Sequence, residues 1–329
     1  MPGKVWVLAE VWRGEVTEIT YEALALGRDL AGQMGVPLEA VLLGRDGKTL
    51  AASLGAASRV LVADHPALAD AAPEPYAEAL AQLARRECPA AILTPLTNVS
   101  LGIGTLAAAK LGAPAINFCQ DVRFEDRRIV AHCLLYGGKI EADVAAAGEP
   151  AVLGIWPGAR PAEAGRSEQP PAVVEELAVD LPAAAPVRLR EVIEPEAGEV
   201  DVTQQEALVA VGRGIGSQDN IAVATELADL LGGAVCGSRP VIDQGWLALS
   251  RQVGKSGATV KPKLYIAAGV SGAPEHVEGM RGAGTIVAIN TDPHAPIFGV
   301  AHLGIVGDAA EVLAAMAEAI RGRHGKAAA

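Results

Sequence analysis

Between residues 264 and 308, three short runs rich in β-branched residues (264–270, Thr285–Asn290 and Leu303–Val306) each stop at a tight turn of small or polar residues. The third passes through Gly307-Asp308 into an apolar helical stretch. Short apolar strands alternating with helices need crossover connections, so this pattern restricts the chain to an open, mainly parallel α/β sheet. Ligands of such sheets bind just beyond the carboxyl ends of the strands. There, Gly269, Ser271, Gly272 and Ala273 carry almost no side chain, so backbone can approach something flat or anionic. The segment reads as a nucleotide-cofactor site.

The same alternation runs through residues 1–112. Strands are expected at 5–9, 38–44, 59–63 and 90–94, with helices at 21–34, 76–87 and 100–111, the last capped by Ser100 and Gly112. From 117 to 155 short strand-like runs are broken by charged and Gly-rich turns, including Gly137-Gly138, which predicts an antiparallel addition to the first sheet. Pro161, Pro170, Pro171, Pro182, Pro186 and Pro195 mark a composition break, with one strand-like stretch at 173–179. The expected organisation is an N-terminal α/β domain over 1–156, a connection over 157–204, and a doubly wound, flavodoxin-like or Rossmann-like domain over 205–329. A length of 329 residues suits two domains.

A net charge of −12 without any basic, aromatic-interleaved patch argues against a nucleic-acid partner. No run of about 18 uninterrupted apolar residues suggests a membrane span. A strand begins almost at once, which leaves no room for a targeting segment. The four cysteines (Cys88, Cys119, Cys133, Cys236) form no CxxC pair and read as small buried hydrophobes. The dispersed histidines lack metal-ligand spacing. The expectation is a soluble cytoplasmic protein without a metal.

Several near-motifs fail. Val211-Gly-Arg-Gly-Ile-Gly216 follows a strand, but Ser217 takes the third glycine position of a dinucleotide fingerprint, and no acidic residue ends a second strand at the expected distance. Arg213 in that loop is nonetheless placed to face a pyrophosphate. Gly254-Lys255-Ser256 resembles the end of a phosphate-binding loop, but Leu249 stands where its first glycine belongs and no helix follows. Gly269-Val-Ser271-Gly272-Ala273 nearly spells a nucleophile elbow, which Ala273 breaks. Ser238-Arg239 lies at another strand end, and His276 falls early in a helix opened by Ala273 and Pro274, beside Glu275.

Taken together, these residues resemble the electron-transfer flavoprotein α subunit. The resemblance rests on Leu264-Tyr-Ile-Ala-Ala-Gly-Val-Ser-Gly272, His276, Gly279-Met280, Ile286-Val-Ala-Ile-Asn290, Asp292-Pro293, Ala295-Pro-Ile-Phe298 and Gly304-Ile-Val-Gly-Asp308. Gly212-Arg213-Gly214 and Gly237-Ser238-Arg239 match at similar spacing. The resemblance implies an FAD site completed by a separate β subunit, which the first domain docks. It also implies a carrier without substrate turnover of its own, passing single electrons from acyl-CoA-type dehydrogenases to a quinone oxidoreductase through an anionic semiquinone.

By the same resemblance, Arg213, Ser238 and Asn290 hold the FAD phosphates or their approach, and Ser271–His276 wrap phosphate and flavin edges. Asp308 accepts from the adenosine end. Arg239 lies over the isoalloxazine, Ser256 donates near N5, and His276 sits by the N1–C2 carbonyl edge. Proteins tune a flavin mainly through charge and hydrogen bonds near N1 and N5. Positive charge on Arg239 and His276 therefore favours the first electron. At about 4 Å and an effective dielectric of about 20 the Coulomb energy is roughly 4 kcal/mol. For one electron that is on the order of 170 mV as an upper limit.

Departures from the family pattern cluster nearest the flavin. Val253-Gly254-Lys255-Ser256-Gly257 replaces the usual VGQTG, Glu275 replaces glutamine, and His302-Leu303 replaces Asp-Tyr. A Lys255–Glu275 pair leaves the net field unchanged; without it the potential differs from that of a typical member. The alternative carried alongside is a non-redox nucleotide-binding module that retains the fold.

Overall fold

A strand buried on both faces has no polar side to show, and Val5–Ala9 (β1) is buried at every position, as the middle of a parallel sheet requires. The structure, a computed structural model, describes residues 3–45, 47–70, 72–136, 140–182, 187, 189–191 and 200–327. The expected turn at Gly137-Gly138 and Pro186 and Pro195 of the connection lie outside them. The chain divides into two compact units, residues 1–192 and 193–329.

In the first unit a small hairpin, β2 (Val11–Trp12) and β3 (Glu15–Val16), leads into α1 (Glu18–Met34). There follow β4 (Leu38–Gly44), β5 (Arg59–Asp64), α2 (Pro73–Glu87), β6 (Ala91–Pro95) and α3 (Ile103–Leu111). After these come β7 (Ala115–Glu125), β8 (Arg128–Leu135), β9 (Ile140–Ala145), β10 (Ala151–Ile155) and β11 (Val173–Glu176). Nine strands form one sheet in the order β11-β5-β4-β1-β6-β10-β7-β8-β9. All neighbours are parallel except β7–β8 and β8–β9, which are antiparallel. The period of two in β1 sends Val5, Val7 and Ala9 to the face covered by α1, and Trp6 and Leu8 to the face covered by α2 and α3.

Two expectations change. Helix α3 starts at Ile103 behind Gly102, whose φ is +89°, and not at Ser100. The Ser100 hydroxyl donates to the Pro95 carbonyl at 2.8 Å, so it closes the turn after β6 and caps no helix. The stretch read as connection is not uniform either. Its strand pairs in parallel with β5 at the sheet edge, and Leu177, Val179 and Leu181 pack on the α2 face.

The second unit runs β12 (Ala207–Val211), α4 (Ile221–Leu230), β13 (Ala234–Gly237), α5 (Arg239–Asp243), β14 (Leu264–Ala268), α6 (Pro274–Met280), β15 (Thr285–Asn290), β16 (Leu303–Val306) and α7 (Ala309–Ala327). Its five parallel strands stand in the order β13-β12-β14-β15-β16. That is the flavodoxin-like 2-1-3-4-5 arrangement, whose direction reverses between β12 and β14. Leu227 of α4 and Leu313 of α7 bury one face of the sheet. Met280 of α6, with Val253, Val260 and Ile297, buries the other. No helix among the described residues is long and apolar enough to cross a membrane.

Candidate functional site

Because all five strands of the second unit are parallel, their carboxyl ends deliver Gly212–Gly214, Ser238-Arg239, Gly269–Ala273, Asn290 and Asp308 to one edge. The reversal between β12 and β14 is the crevice of that edge. There the two loops touch through glycine. A Cβ on Gly212 would lie 2.2 Å from the Gly269 carbonyl oxygen, and one on Gly269 (φ +65°) would lie 2.4 Å from the Gly214 carbonyl carbon. The approach is held by Gly212 N–H donating to Ala268 O at 2.9 Å and Gly214 N–H donating to Gly269 O at 3.0 Å. Arg213 is exposed at the tip of this loop, on a single 3-10 turn. Helix α4 begins only at Ile221, so this loop does not run directly into a helix as a dinucleotide fingerprint does.

The neighbouring strand ends are tied down in turn. Ser238 is buried, and its N–H donates to Val211 O at 3.0 Å. Arg239 opens α5 with an exposed guanidinium whose Nε is 3.5 Å from Asp243 Oδ2. Asn290 Nδ2 donates to Val270 O at 2.9 Å while its Oδ1 accepts from the Asp292 N–H at 2.9 Å. Its side chain thus fixes the β14 loop. Asp308 Oδ1 accepts from the Glu311 N–H at 3.1 Å, capping α7. Ser271 and Ala273 are exposed, and Gly272 sits at φ +85° with an imagined Cβ 2.2 Å from the Ile297 nitrogen. The Ala273 carbonyl accepts from the His276 N–H at 2.9 Å, with Pro274 as the first residue of α6 and Glu275 exposed behind it.

The loop from Val253 to Gly257 is pinned between β13 and α6. Val253 N–H donates to Gly237 O at 2.9 Å and Lys255 N–H donates to Glu275 O at 2.7 Å. A Cβ on Gly279 would lie 2.5 Å from Gly254 Cα, which explains the glycine pair. Gln252, buried, donates through Nε2 to Ser256 Oγ at 2.9 Å. The serine hydroxyl, accepting there, keeps its own proton for another acceptor. The ammonium of Lys255 lies 3.8 Å from Glu278 Oε2, so an acidic partner within its reach is one that sequence reasoning did not name. Burial pushes Glu278 up, against the pull of Lys255.

His276 is only 6% exposed, and its Nε2 lies 3.0 Å from the Tyr265 hydroxyl, itself fully buried on β14. Nδ1 is buried as well, and the Val253 backbone is the other polar group against the ring. Burial pulls the imidazole down to about 4, so it is neutral near pH 7. This corrects the expectation of a positive charge here: with water excluded, a lone imidazolium has no counter-charge to offset its desolvation. Tyr265 and Gln252 were not among the residues expected to matter. Tyr265 lies in an apolar strand run, where its hydroxyl is the one polar side-chain group.

Glycine-lined backbone at the crevice, exposed Arg213 and Arg239, and the hydroxyl proton of Ser256 fit a flat, anionic dinucleotide such as FAD. No group of residues suited to a metal ion occurs among the described residues.

Comparison with known proteins agrees with that fit. Residues 201–281 match a family model described as the electron transfer flavoprotein FAD-binding domain, and residues 5–182 match one described as the electron transfer flavoprotein domain. A relative named Protein FixB from Clostridium saccharobutylicum is 36% identical, covering 94% of this chain and 93% of its own. An electron transfer flavoprotein subunit alpha from Clostridium acetobutylicum is 34% identical with 94% of both chains covered. The acryloyl-CoA reductase electron transfer subunit beta of Anaerotignum propionicum is 32% identical over 96% of this chain and 95% of its own.

Proposed function

The chain belongs to the electron-transfer flavoprotein α-subunit family, and from that premise we propose that it is the FAD-holding half of a heterodimeric single-electron carrier completed by a β subunit. It receives electrons from acyl-CoA-type dehydrogenases, passes them to a quinone oxidoreductase or a similar acceptor, and turns over no substrate itself. The observation that carries this reading is the crevice between β12 and β14, where Gly212, Gly214 and Gly269 let the two loops meet and Arg213 stands exposed at the tip. The acyl-CoA side draws support from the relative named as an electron transfer subunit of acryloyl-CoA reductase.

Bound FAD supplies one-electron redox chemistry; the chain binds, orients and screens it. Arg213, Ser238 and Asn290 serve the pyrophosphate end, and Asp308 the adenosine end. Ser271 to His276 line the middle of the cofactor. Ser256, primed by Gln252, offers a donor at one flavin edge, and Arg239 supplies the cation over the ring. With His276 neutral, the field that favours the first electron comes mainly from Arg239, and the imidazole contributes a hydrogen bond. Docking of the β subunit falls to the first unit, where Phe118, Tyr136 and Ile140 on the antiparallel extension are exposed apolar side chains. The protein works in the cytoplasm.

Co-expression with the β subunit tests the proposal. A yellow complex that retains FAD, and whose flavin is reduced by an acyl-CoA only when its dehydrogenase is present, is expected. A colourless complex that ignores FAD in equilibrium dialysis, or takes up ATP in its place, refutes it.

A further inference from the structure

Two cysteines meet in the antiparallel extension of the first sheet. Cys119 on β7 and Cys133 on β8 stand directly opposite one another in the ladder, and their sulfurs lie 3.9 Å apart. Both are buried in the core beneath α1, although 14 positions of sequence separate them. Residues paired across antiparallel strands have Cα atoms about 4.5–5.5 Å apart. A disulfide spans Cα separations of roughly 4.4–6.8 Å, so side-chain rotation alone brings the two sulfurs to bonding distance. The sulfurs also differ chemically. Hydrogen bonding from the Cys119 thiol, and then the charge of His132, draws Cys133 below its ordinary value. The same hydrogen bond, together with burial, holds Cys119 up. Cys133 therefore ionises first and is the nucleophile of the pair, with Cys119 as the second sulfur in its reach.

We propose that Cys119 and Cys133 form a reversible redox site, a dithiol that hydrogen peroxide oxidises to a cross-strand disulfide. The Cys133 thiolate attacks one peroxide oxygen, the O–O bond breaks, and the leaving hydroxide takes up the thiol proton to become water. Cys133 is then a sulfenic acid. The Cys119 sulfur attacks the Cys133 sulfur, the S–O bond breaks, and the oxygen leaves with the Cys119 proton as a second water. Two thiols have lost two electrons, and the peroxide has accepted them. Burial selects the oxidant. A bulky disulfide such as oxidised glutathione has no room to present its S–S bond to either sulfur, whereas hydrogen peroxide is little larger than water. The ladder shifts register between Cys119 and Asp121, and such irregularities interrupt pairing locally, which gives a small oxidant its entry. The bond would clip β7 to β8 beside the Phe118–Trp156 ring pair, whose centroids are 5.3 Å apart. The site lies in the first unit and stands whether or not the second unit holds FAD.

The test is to treat the αβ complex with hydrogen peroxide or with oxidised glutathione, unfold it directly into an alkylating agent, and map the peptides by mass spectrometry. After peroxide, the peptides carrying Cys119 and Cys133 should be joined, with a mass lower by two hydrogens, and dithiothreitol should separate them. After oxidised glutathione both should be alkylated as in the untreated complex. The oxidised complex should also unfold at a higher urea midpoint, because the bridge restricts the unfolded chain. Cys119→Ser should leave Cys133 as a sulfenic acid that dimedone captures. Three results overturn the proposal: peroxide that oxidises the exposed Cys88 while Cys119 and Cys133 stay alkylatable, Cys133 carried on to a sulfinic acid without a bridge, or oxidised glutathione that modifies the pair as readily as peroxide. The wild-type map decides the matter even where the serine variant does not fold.

Discussion

Substituting Gly212 by alanine asks how closely the two crevice loops must approach. The new Cβ would stand 2.2 Å from Gly269 O and 2.6 Å from Val270 Cα, both backbone atoms that cannot swing aside. Gly212 has φ −103° and ψ 177°, an extended conformation that alanine adopts freely, so close approach is the whole of the penalty. Restoring ordinary contact needs a separation of about 1 Å between loops held by the 3.0 Å bond from Gly214 N–H to Gly269 O. Overpacking of that kind costs about 1–3 kcal/mol. The weakened hydrogen bond adds about 1 kcal/mol. If FAD requires the loops where they stand, strain of about 2 kcal/mol weakens binding roughly 30-fold. Titrating the flavin-free αβ complex with FAD, following flavin fluorescence, reads the affinity, and urea unfolding reads the stability. Gly212→Ala with an affinity within about twofold of wild type and an unmoved unfolding midpoint refutes the reasoning.

Three further outcomes follow from the same geometry. His276 is held at about 4, below the 6.5 of a free imidazole, so the unfolded chain takes up the proton first. Its contribution is therefore fully present above about pH 6.5 and falls by on the order of 3 kcal/mol as the pH drops towards 4; His276→Gln should flatten that slope in urea unfolding of the flavin-free complex, and an unaltered slope removes His276 as its cause. Arg239→Ala should lower the first-electron potential. Because the guanidinium is exposed, solvent screening confines the change to tens of millivolts, well under the ~170 mV unscreened limit; a spectroelectrochemical titration showing no change means the cation over the ring lies elsewhere. Gly32→Ala, in α1 where an added Cβ meets nothing within 4 Å, should stabilise the complex by about 0.5–1 kcal/mol, and a lowered unfolding midpoint would contradict it.

Much of the architecture was legible because it follows local periodicity. The strands Thr285–Asn290 and Leu303–Val306 have the limits that their apolar runs suggest. The antiparallel extension follows the change of pattern after residue 117. What escaped depends on partners distant in sequence. Ser100 has the residue type of a cap, but the Pro95 carbonyl outcompetes the helix for its hydroxyl. The strand Val173–Glu176 was legible as a strand-like run; what escaped is its partner, the open edge of β5.

The residues of the site divide the same way. That small residues and arginines gather at strand ends is a property of the sequence, since parallel strands must end on one side. The charge of His276 and the proton on its ring are not. The first is decided by the desolvation that comes when α6 closes over β14. The second depends on the Tyr265 hydroxyl 3.0 Å away and the Val253 backbone, which the ring meets only in the tertiary fold. Composition and spacing therefore marked a nucleotide-cofactor edge, the family resemblance named the cofactor, and the burial of one imidazole decided that the ring is neutral.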